Sequence, residues 1–165
     1  MRNIQNPSKG TLMFVVELLQ FQINPAGGKL AVDGASRSWF GGALVVLPVG
    51  PHEAVVTVES HCCKTLSTAF QVEPPPPGKP DEPQRVFLAM EIVPATVSLG
   101  SGPAGAQMTC PDLGLSVTTG ASRQIKLREV AWRGTCTFGQ PSQAPRTAPV
   151  SLKAGETNVI LWPKD

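Results

Sequence analysis

The sequence predicts an all-β chain built from two small tandem β-sandwich domains. Its 165 residues include 17 Pro and 16 Gly, and short apolar and β-branched runs stand between these residues. Many short strands joined by Gly- and Pro-rich turns are typical of sandwiches and barrels. The motif Pro-Ala-Gly also occurs at residues 25–27 and again at residues 103–105. A repeated order of turns and strands indicates one small domain present twice.

The first domain is expected over residues 14–93, after an N-terminal tail of residues 1–13. Apolar residues alternate with polar ones before Asp33-Gly34, a dipeptide typical of hairpin turns. A second tight turn is expected at Gly50-Pro51, between two Val-rich runs. Strands are predicted within residues 12–23, on both sides of residues 48–53, within residues 61–72 and within residues 85–92.

A Pro-rich segment, residues 73–84, interrupts this domain. It has six prolines in twelve residues, and because proline cannot donate a hydrogen bond to a sheet, the segment is expected to be an extended surface loop. A domain that ended before it, at Val72, would be too small to bury a core. We therefore expect this loop to precede the closing strand of the first domain, and not to link two domains.

The second domain is expected over residues 94–165 as a divergent copy of the first. Four features are matched in order along the two halves, and an ordered series is typical of duplication. They are the Pro-Ala-Gly turns, the turns at Gly50 and Gly120, the Pro-rich inserts at residues 73–84 and 139–149, and the two closing strands.

Composition argues against several classes of partner. The net charge is +2, from 14 Lys and Arg against 12 Asp and Glu, and no basic run is longer than two residues. Neither a nucleic-acid surface nor a charge-driven membrane surface is therefore expected. Pro7, Lys9 and Glu17 interrupt the N-terminal apolar run, so no signal peptide is predicted. The uncharged residues 92–111 are too rich in Gly, Ser, Thr and Pro for a spanning helix.

The stretches NPAGGKLAVDG and LPVGPHEAVVTV resemble the PEGA repeat, a small bacterial β-sandwich. The family pattern has a Pro/Gly turn, a strand leading into Val-Asp-Gly, and Leu-x-Pro-Gly-x-His before a Val-rich strand. The resemblance covers residues 20–92, and residues 93–163 share it only weakly. The residues that fit are Pro25, Gly27, Val32, Asp33, Gly34, Leu47, Gly50, His52, Val56 and Val58.

This resemblance implies an immunoglobulin-like sandwich and a non-catalytic role. Relatives of this kind are tandem accessory modules of bacterial surface and signalling proteins, some of them following serine/threonine kinase domains. They bring no catalytic residues to carry over. The usual Thr-Pro after Val-Asp-Gly is replaced in this chain by ASRSWFGG.

That replacement supplies the candidate binding residues. Trp39 and Phe40, beside Arg37 and two glycines, would present aromatic area to a protein or a sugar. The alternative is that both rings fold inward and cap a small core. His52 is the remaining candidate, since it can hydrogen-bond the loop backbone through either ring nitrogen.

The four cysteines leave two interpretations open. Cys110 and Cys136 lie on segments predicted to be neighbouring strands, so they are the preferred disulfide, and an oxidising compartment would suit such a chain. Buried free thiols are the alternative. Cys62 and Cys63 are expected on a strand with side chains on opposite faces, which disfavours a metal site there, and their mutual disulfide would be strained.

The function predicted is a non-catalytic protein-interaction or scaffolding module of a bacterial envelope or signalling protein. The alternatives are a structural spacer or subunit of a larger assembly, and a carbohydrate-binding accessory domain. No enzyme activity, metal or cofactor is expected, because no nucleophile stands beside an oriented base. The cysteines favour the cell envelope over the cytoplasm, against the lack of a signal peptide.

Overall fold

The chain is all-β in a computed structural model that describes residues 15–37, 44–78, 82–100 and 102–163. It divides into two compact units. Unit 1 takes in Met1–Thr57 and Thr65–Met90, and unit 2 takes in Val58–Lys64 and Glu91–Asp165. The division therefore falls three residues before the predicted one, and residues 58–64, expected in the first domain, belong to the second unit.

The described residues of unit 1 form seven strands in two sheets. Strands β4, β1 and β7 form one sheet in that order, and strands β3, β2, β5 and β6 form the other. β1 and β7 run parallel, and the remaining pairs are antiparallel. The strands are β1 (Val16–Asn24), β2 (Lys29–Val32), β3 (Ala35–Arg37), β4 (Leu44–Pro48), β5 (Gly50–Thr57), β6 (Leu66–Val72) and β7 (Gln84–Ala89).

Unit 2 also has seven strands in two sheets. Strands β11, β8 and β14 form the smaller sheet, and strands β10, β9, β12 and β13 form the larger one. A short 3-10 turn, Pro111–Leu113, joins β9 to β10. The strands are β8 (Ala95–Leu99), β9 (Gln107–Cys110), β10 (Leu115–Thr118), β11 (Ser122–Ile125), β12 (Ala131–Gly139), β13 (Arg146–Lys153) and β14 (Thr157–Ile160).

The two units have the same topology. Each strand of unit 2 stands seven places after its counterpart in unit 1, and both the order within each sheet and the single parallel pair agree. A duplicated domain produces such agreement, because the order of strands in a sheet changes more slowly than side chains do.

Period-two burial builds both cores, because successive side chains of a strand point to opposite faces. In unit 1, Phe21 of β1 meets Phe70 of β6 edge to face, with ring centroids 5.6 Å apart. In unit 2, Phe138 of β12 meets Trp162 at 5.7 Å. Each contact joins one sheet of a unit to elements of the other sheet, as in a sandwich. Trp132 and Trp162 are half-buried against the core of unit 2.

A side-chain amide within the first two residues of the last strand in each unit hydrogen-bonds the end of the strand before it. The Gln84 oxygen accepts from the Glu73 backbone N–H at 3.1 Å, and its nitrogen donates to the Gln71 carbonyl at 2.8 Å. In unit 2 the Asn158 oxygen accepts from the Lys153 backbone N–H at 2.8 Å, and its nitrogen donates to the Lys153 carbonyl at 3.0 Å. This shared device supports the equivalence of the units.

Two of the four matches drawn between the halves are wrong. Gly120 lies in the turn from β10 to β11, the counterpart of the connection from β3 to β4, whereas Gly50 begins β5. The Pro-rich insert of unit 1 joins β6 to β7, whereas that of unit 2 joins β12 to β13. Gly and Pro serve almost every turn of such a fold, so turn composition does not identify which turn is which. The strand after residues 73–84, β7, pairs with β1 of unit 1.

Residues 58–64 connect β5 to β6 and pack into unit 2. The Val93 backbone N–H donates to the Cys62 carbonyl at 2.8 Å, and the Lys64 backbone N–H donates to the Glu91 carbonyl at 2.9 Å. Gly155, with φ 70°, lies so close that a Cβ there would collide with the His61 carbonyl. Among the described residues there is no helix long and apolar enough to cross a membrane.

Candidate functional site

His52 and Asp33 form an ion pair that fastens the turn after β2 to the start of β5. His52 Nδ1 lies 2.6 Å from Asp33 Oδ2, and Nε2 lies 2.8 Å from the Pro48 carbonyl oxygen. The other carboxylate oxygen of Asp33 accepts from the Glu53 backbone N–H at 3.0 Å. Because both partners of the imidazole are acceptors, the ring satisfies both when each nitrogen carries a proton. The ring is therefore best accommodated as an imidazolium.

The environment moves both pKa values toward the charged forms. The hydrogen bond from the Glu53 backbone N–H, followed by the one from His52, lowers the pKa of Asp33. The hydrogen bond to Asp33 raises the pKa of His52, against a smaller opposing effect of burial. Both ring nitrogens are engaged within the loop, as the sequence predicts for backbone contact, and neither is left for a ligand.

The other predicted binding residues lie at the edge of the described structure. Arg37 is the exposed last residue of β3. Trp39 and Phe40 lie outside the described residues, so the choice between an exposed aromatic pair and a core cap stays a prediction.

The outer face of the sheet β4-β1-β7 carries a group of apolar side chains beside the outward residues Gln20, Gln22 and Arg85, and the sequence reasoning missed this group. Leu18 of β1 lies directly opposite Val46 of β4, and Leu44 is the next outward residue of that strand. Leu44 is 55% exposed, Val46 is 57% exposed and Phe87 is 70% exposed. We call this surface the apolar face; it consists of Val16, Leu18, Leu44, Val46 and Phe87.

The corresponding face of unit 2 is polar. Thr96 and Ser98 of β8 point outward there, opposite Gln124 and Ser122 of β11. Val159 of β14 adds a large apolar side chain, at 58% exposure, and Leu161 directly after β14 is 71% exposed. The sequence carried a signal for the exposed apolar side chains of β4, since all four residues of Leu44-Val45-Val46-Leu47 are apolar, including those that point to the outer face. A strand with one solvated face should alternate.

Unit 2 holds an open cavity of about 490 Å³ at the end of the sandwich where β12 begins. The Trp132 ring lies over Gly134, where any Cβ would overlap it. None of the five charged side chains lining the cavity forms an ion pair or a side-chain hydrogen bond within the described residues. The lining residues are Asp112, Leu113, Lys126, Arg128, Glu129, Ala131, Trp132 and Arg133.

Cys110 and Cys136 form a disulfide at the end of β9 and within β12, with Cα atoms 4.4 Å apart. The neighbouring pair Thr109 and Thr137 is in register, so the cysteines stand directly across from each other. Both are fully buried in the core of unit 2. This is the disulfide that the sequence preferred, with buried free thiols as the alternative left open.

The expectation that Cys62 and Cys63 point to opposite faces of a strand is wrong. They lie in a turn beyond the end of β5, where side chains no longer alternate, and their sulfur atoms are 2.7 Å apart. Burial raises the pKa of the Cys63 thiol to about 12, so it is protonated at neutral pH and is a weak nucleophile. Within the described ranges, no group of three or more His, Cys, Asp or Glu side chains could hold a metal ion.

Comparisons of the chain with family models, curated proteins and solved structures give no match. The PEGA resemblance accordingly stays an expectation drawn from the residues named above.

Proposed function

We propose that the chain is a non-catalytic module that binds a partner protein through the apolar face of unit 1. The observation that carries this proposal is the contrast between the two repeats. β4 of unit 1 exposes Leu44 and Val46, and β7 exposes Phe87, whereas β11, the counterpart of β4 in unit 2, presents Ser122 and Gln124, so the fold itself does not require the exposed apolar side chains. Contiguous exposed apolar surface is typical of interaction sites.

The composition of the face defines the partner. Arg85 is the only charged residue that points outward from β1, β4 and β7, so the complementary surface should be apolar and nearly uncharged. Burying one Leu, Val or Phe side chain contributes roughly 1.5–3 kcal/mol, so three such anchors offset much of the entropic cost of association. In the bacterial setting that the PEGA resemblance implies, this role suits an accessory part of an envelope or signalling protein, and the Cys110–Cys136 disulfide favours the envelope.

Photo-cross-linking from the apolar face tests this function. A photoreactive residue replaces Val46 in one variant and Gln124 in a matched variant, both at outward positions of corresponding strands. The protein captured from the source cells through position 46 is then identified, purified and titrated against the chain. We expect Val46→Glu to weaken its binding about tenfold or more, which corresponds to about 1.4 kcal/mol, and Gln124→Glu to leave it unchanged.

Two results would count against the proposal. Equal binding by Val46→Glu and Gln124→Glu would remove the apolar face from the interaction. Capture of a second copy of this chain through position 46 would instead favour the structural-subunit alternative.

The cavity of unit 2 favours a second candidate function, recognition of an acidic carbohydrate. Lys126, Arg128 and Arg133 line it beside Trp132 and outnumber the two acidic lining residues, Asp112 and Glu129. The cavity thus pairs a net positive charge for a carboxylate with an aromatic ring for the apolar side of a sugar. Calorimetric titration with an oligogalacturonate and with a neutral cello-oligosaccharide tests it. We expect binding of the acidic sugar alone, lost in Arg128→Gln/Arg133→Gln and kept in Arg123→Gln. Failure of the acidic sugar to bind would eliminate this candidate.

A further inference from the structure

The sulfur atoms of Cys62 and Cys63 are closer together than the van der Waals contact distance of two unbonded sulfur atoms. Their Sγ atoms are 2.7 Å apart, whereas even carbon atoms, which are smaller, make contact at about 3.5–4.0 Å. A disulfide bond is about 2.05 Å long. The pair therefore lies between contact and bond, and less than 1 Å of movement would close it.

The local backbone makes such closure feasible. Adjacent Cα atoms are about 3.8 Å apart, which is below the usual range for disulfides, and on a strand the two side chains would diverge. Here Cys62 lies in a turn, and Cys63 follows it in an isolated bridge to Ile92. The hydrogen bond from Val93 to the Cys62 carbonyl and the one from Lys64 to the Glu91 carbonyl hold this turn in place.

We propose that Cys62 and Cys63 are a redox modification site that closes to a vicinal disulfide. Cys62 is 8% exposed and belongs to the core of unit 2, while Cys63 is more accessible. Cys63 is thus the sulfur that an external oxidant reaches first. The Ser60 hydroxyl donates to Cys62 Sγ at 3.0 Å, which holds the second sulfur in position beside it.

The oxidant is a small-molecule disulfide. Because the Cys63 thiol is protonated at neutral pH, this exchange is slow; the small thiolate fraction of Cys63 attacks one sulfur atom of the oxidant, which forms a mixed disulfide and releases one small thiol. The Cys62 thiolate then attacks Cys63 Sγ, which forms the Cys62–Cys63 bond and releases a second small thiol. Two electrons pass from the cysteine pair to the oxidant, and the two cysteine protons end on the released thiols. The Cys110–Cys136 disulfide of unit 2 requires the same kind of oxidising environment.

Thiol mapping of the full chain tests the proposal. The Cys110→Ala/Cys136→Ala variant retains only Cys62 and Cys63. It is equilibrated with oxidised glutathione and unfolded in denaturant that contains an alkylating agent, and its mass is then measured by mass spectrometry. We expect a product two hydrogen atoms lighter than the reduced chain, with no alkyl group, no glutathione and a single peptide containing the intramolecular bond.

Matched controls distinguish this bond from ordinary surface oxidation. In the same background, Cys62→Ser and Cys63→Ser should each yield a mixed disulfide with glutathione or a free thiol. The proposal is overturned if the parent variant yields two alkylated cysteines, a doubly glutathionylated chain or a disulfide-linked dimer. Treatment of the wild-type chain provides the second measurement: we expect no alkylation before reduction and four alkylated cysteines after it, whereas two before reduction would contradict the proposal.

Discussion

In unit 1 the end of β2 is fastened to β5 by an ion pair, whereas in unit 2 the end of β9 is fastened to β12 by a covalent bond. The last cross-strand pair in unit 1 is Val32 with Ala54, both fully buried, and the Asp33–His52 pair follows it. At the corresponding end of the ladder in unit 2 stand Cys110 and Cys136. The strand order is identical in the two units.

Two units with the same strand order thus use different interactions, an ion pair and a disulfide, to hold corresponding strand ends together. An ion pair responds to pH and a disulfide responds to reductant, so one fold has two different sensitivities in one chain. The same freedom extends to the outer faces, where unit 1 exposes Val46 and unit 2 exposes Gln124. Side chains that the topology does not require are the ones available for binding and regulation.

Removal of the disulfide should have the largest effect. The bond closes a sequence separation of 26 residues, and the loop-entropy relation assigns such a crosslink about 3.5 kcal/mol. Cys110→Ala/Cys136→Ala should therefore lower the free energy of unfolding of unit 2 by about that amount, measured by hydrogen exchange in β9 and β12. An equal loss in β2 and β5 would show that the disulfide does not act on unit 2 alone.

Disturbing the Trp132 ring should have the next largest effect. Gly134→Ala places a methyl group where the ring lies, and overpacking of this kind costs about 1–3 kcal/mol. Gly139→Ala, in the same strand and with nothing within 4 Å of its Cβ position, is the matched control. Chemical unfolding compares the two, and equal stabilities would mean that the Trp132 ring moves aside without cost.

Loss of the ion pair in unit 1 should be smaller. His52→Gln removes the imidazolium that bridges Asp33 and the Pro48 carbonyl, and a net hydrogen bond is worth about 1 kcal/mol. We expect a destabilisation of about that size, confined to hydrogen exchange in β2, β3 and β5. His61→Gln, at the exposed second histidine of the chain, should change nothing.

Titration of the His52–Asp33 pair should make the stability of unit 1 depend on pH, with a smaller effect than the substitution of His52. His52 has a folded pKa above its ordinary 6.5, so its contribution is complete below pH 6.5 and is lost as the pH rises through the folded value. Asp33 has a folded pKa below its ordinary 3.8, so its contribution is complete above pH 3.8 and is lost as the pH falls through the folded pKa. The ion pair therefore stabilises unit 1 most between pH 3.8 and pH 6.5.

Denaturation at several pH values measures this effect. The wild-type chain should lose stability in unit 1 above pH 6.5, and His52→Gln should not. A slope that persists unchanged in His52→Gln would assign the titration to another group.

The sequence was sufficient for the features that rest on local chemistry. Alternation of apolar residues placed most strands, Asp33-Gly34 and the Pro-Ala-Gly motifs placed turns, and Cys110 and Cys136 were paired because each lay in a strand-like run. These signals depend on a few neighbouring residues, and tertiary packing does not overturn them.

The features missed depend on contacts between distant residues. Residues 58–64 look like part of a strand, but they form a turn because Cys62 and Gly155 pack together in unit 2. The apolar face was missed because its members come from three strands, and only the register of those strands places Leu18 beside Val46. The ion pair joins residues 19 positions apart, a separation that periodicity cannot resolve.

Residue-resolved hydrogen exchange tests most directly the claim that two equivalent units are secured by different bonds. The wild-type chain and the Cys110→Ala/Cys136→Ala variant are compared on both sides of pH 6.5, with exchange rates corrected for intrinsic pH dependence. We predict that loss of the disulfide accelerates exchange in β9 and β12 and leaves β2 and β5 unchanged. A rise in pH should accelerate β2 and β5 and leave β9 and β12 unchanged. Equal responses of both units to either change would contradict the account.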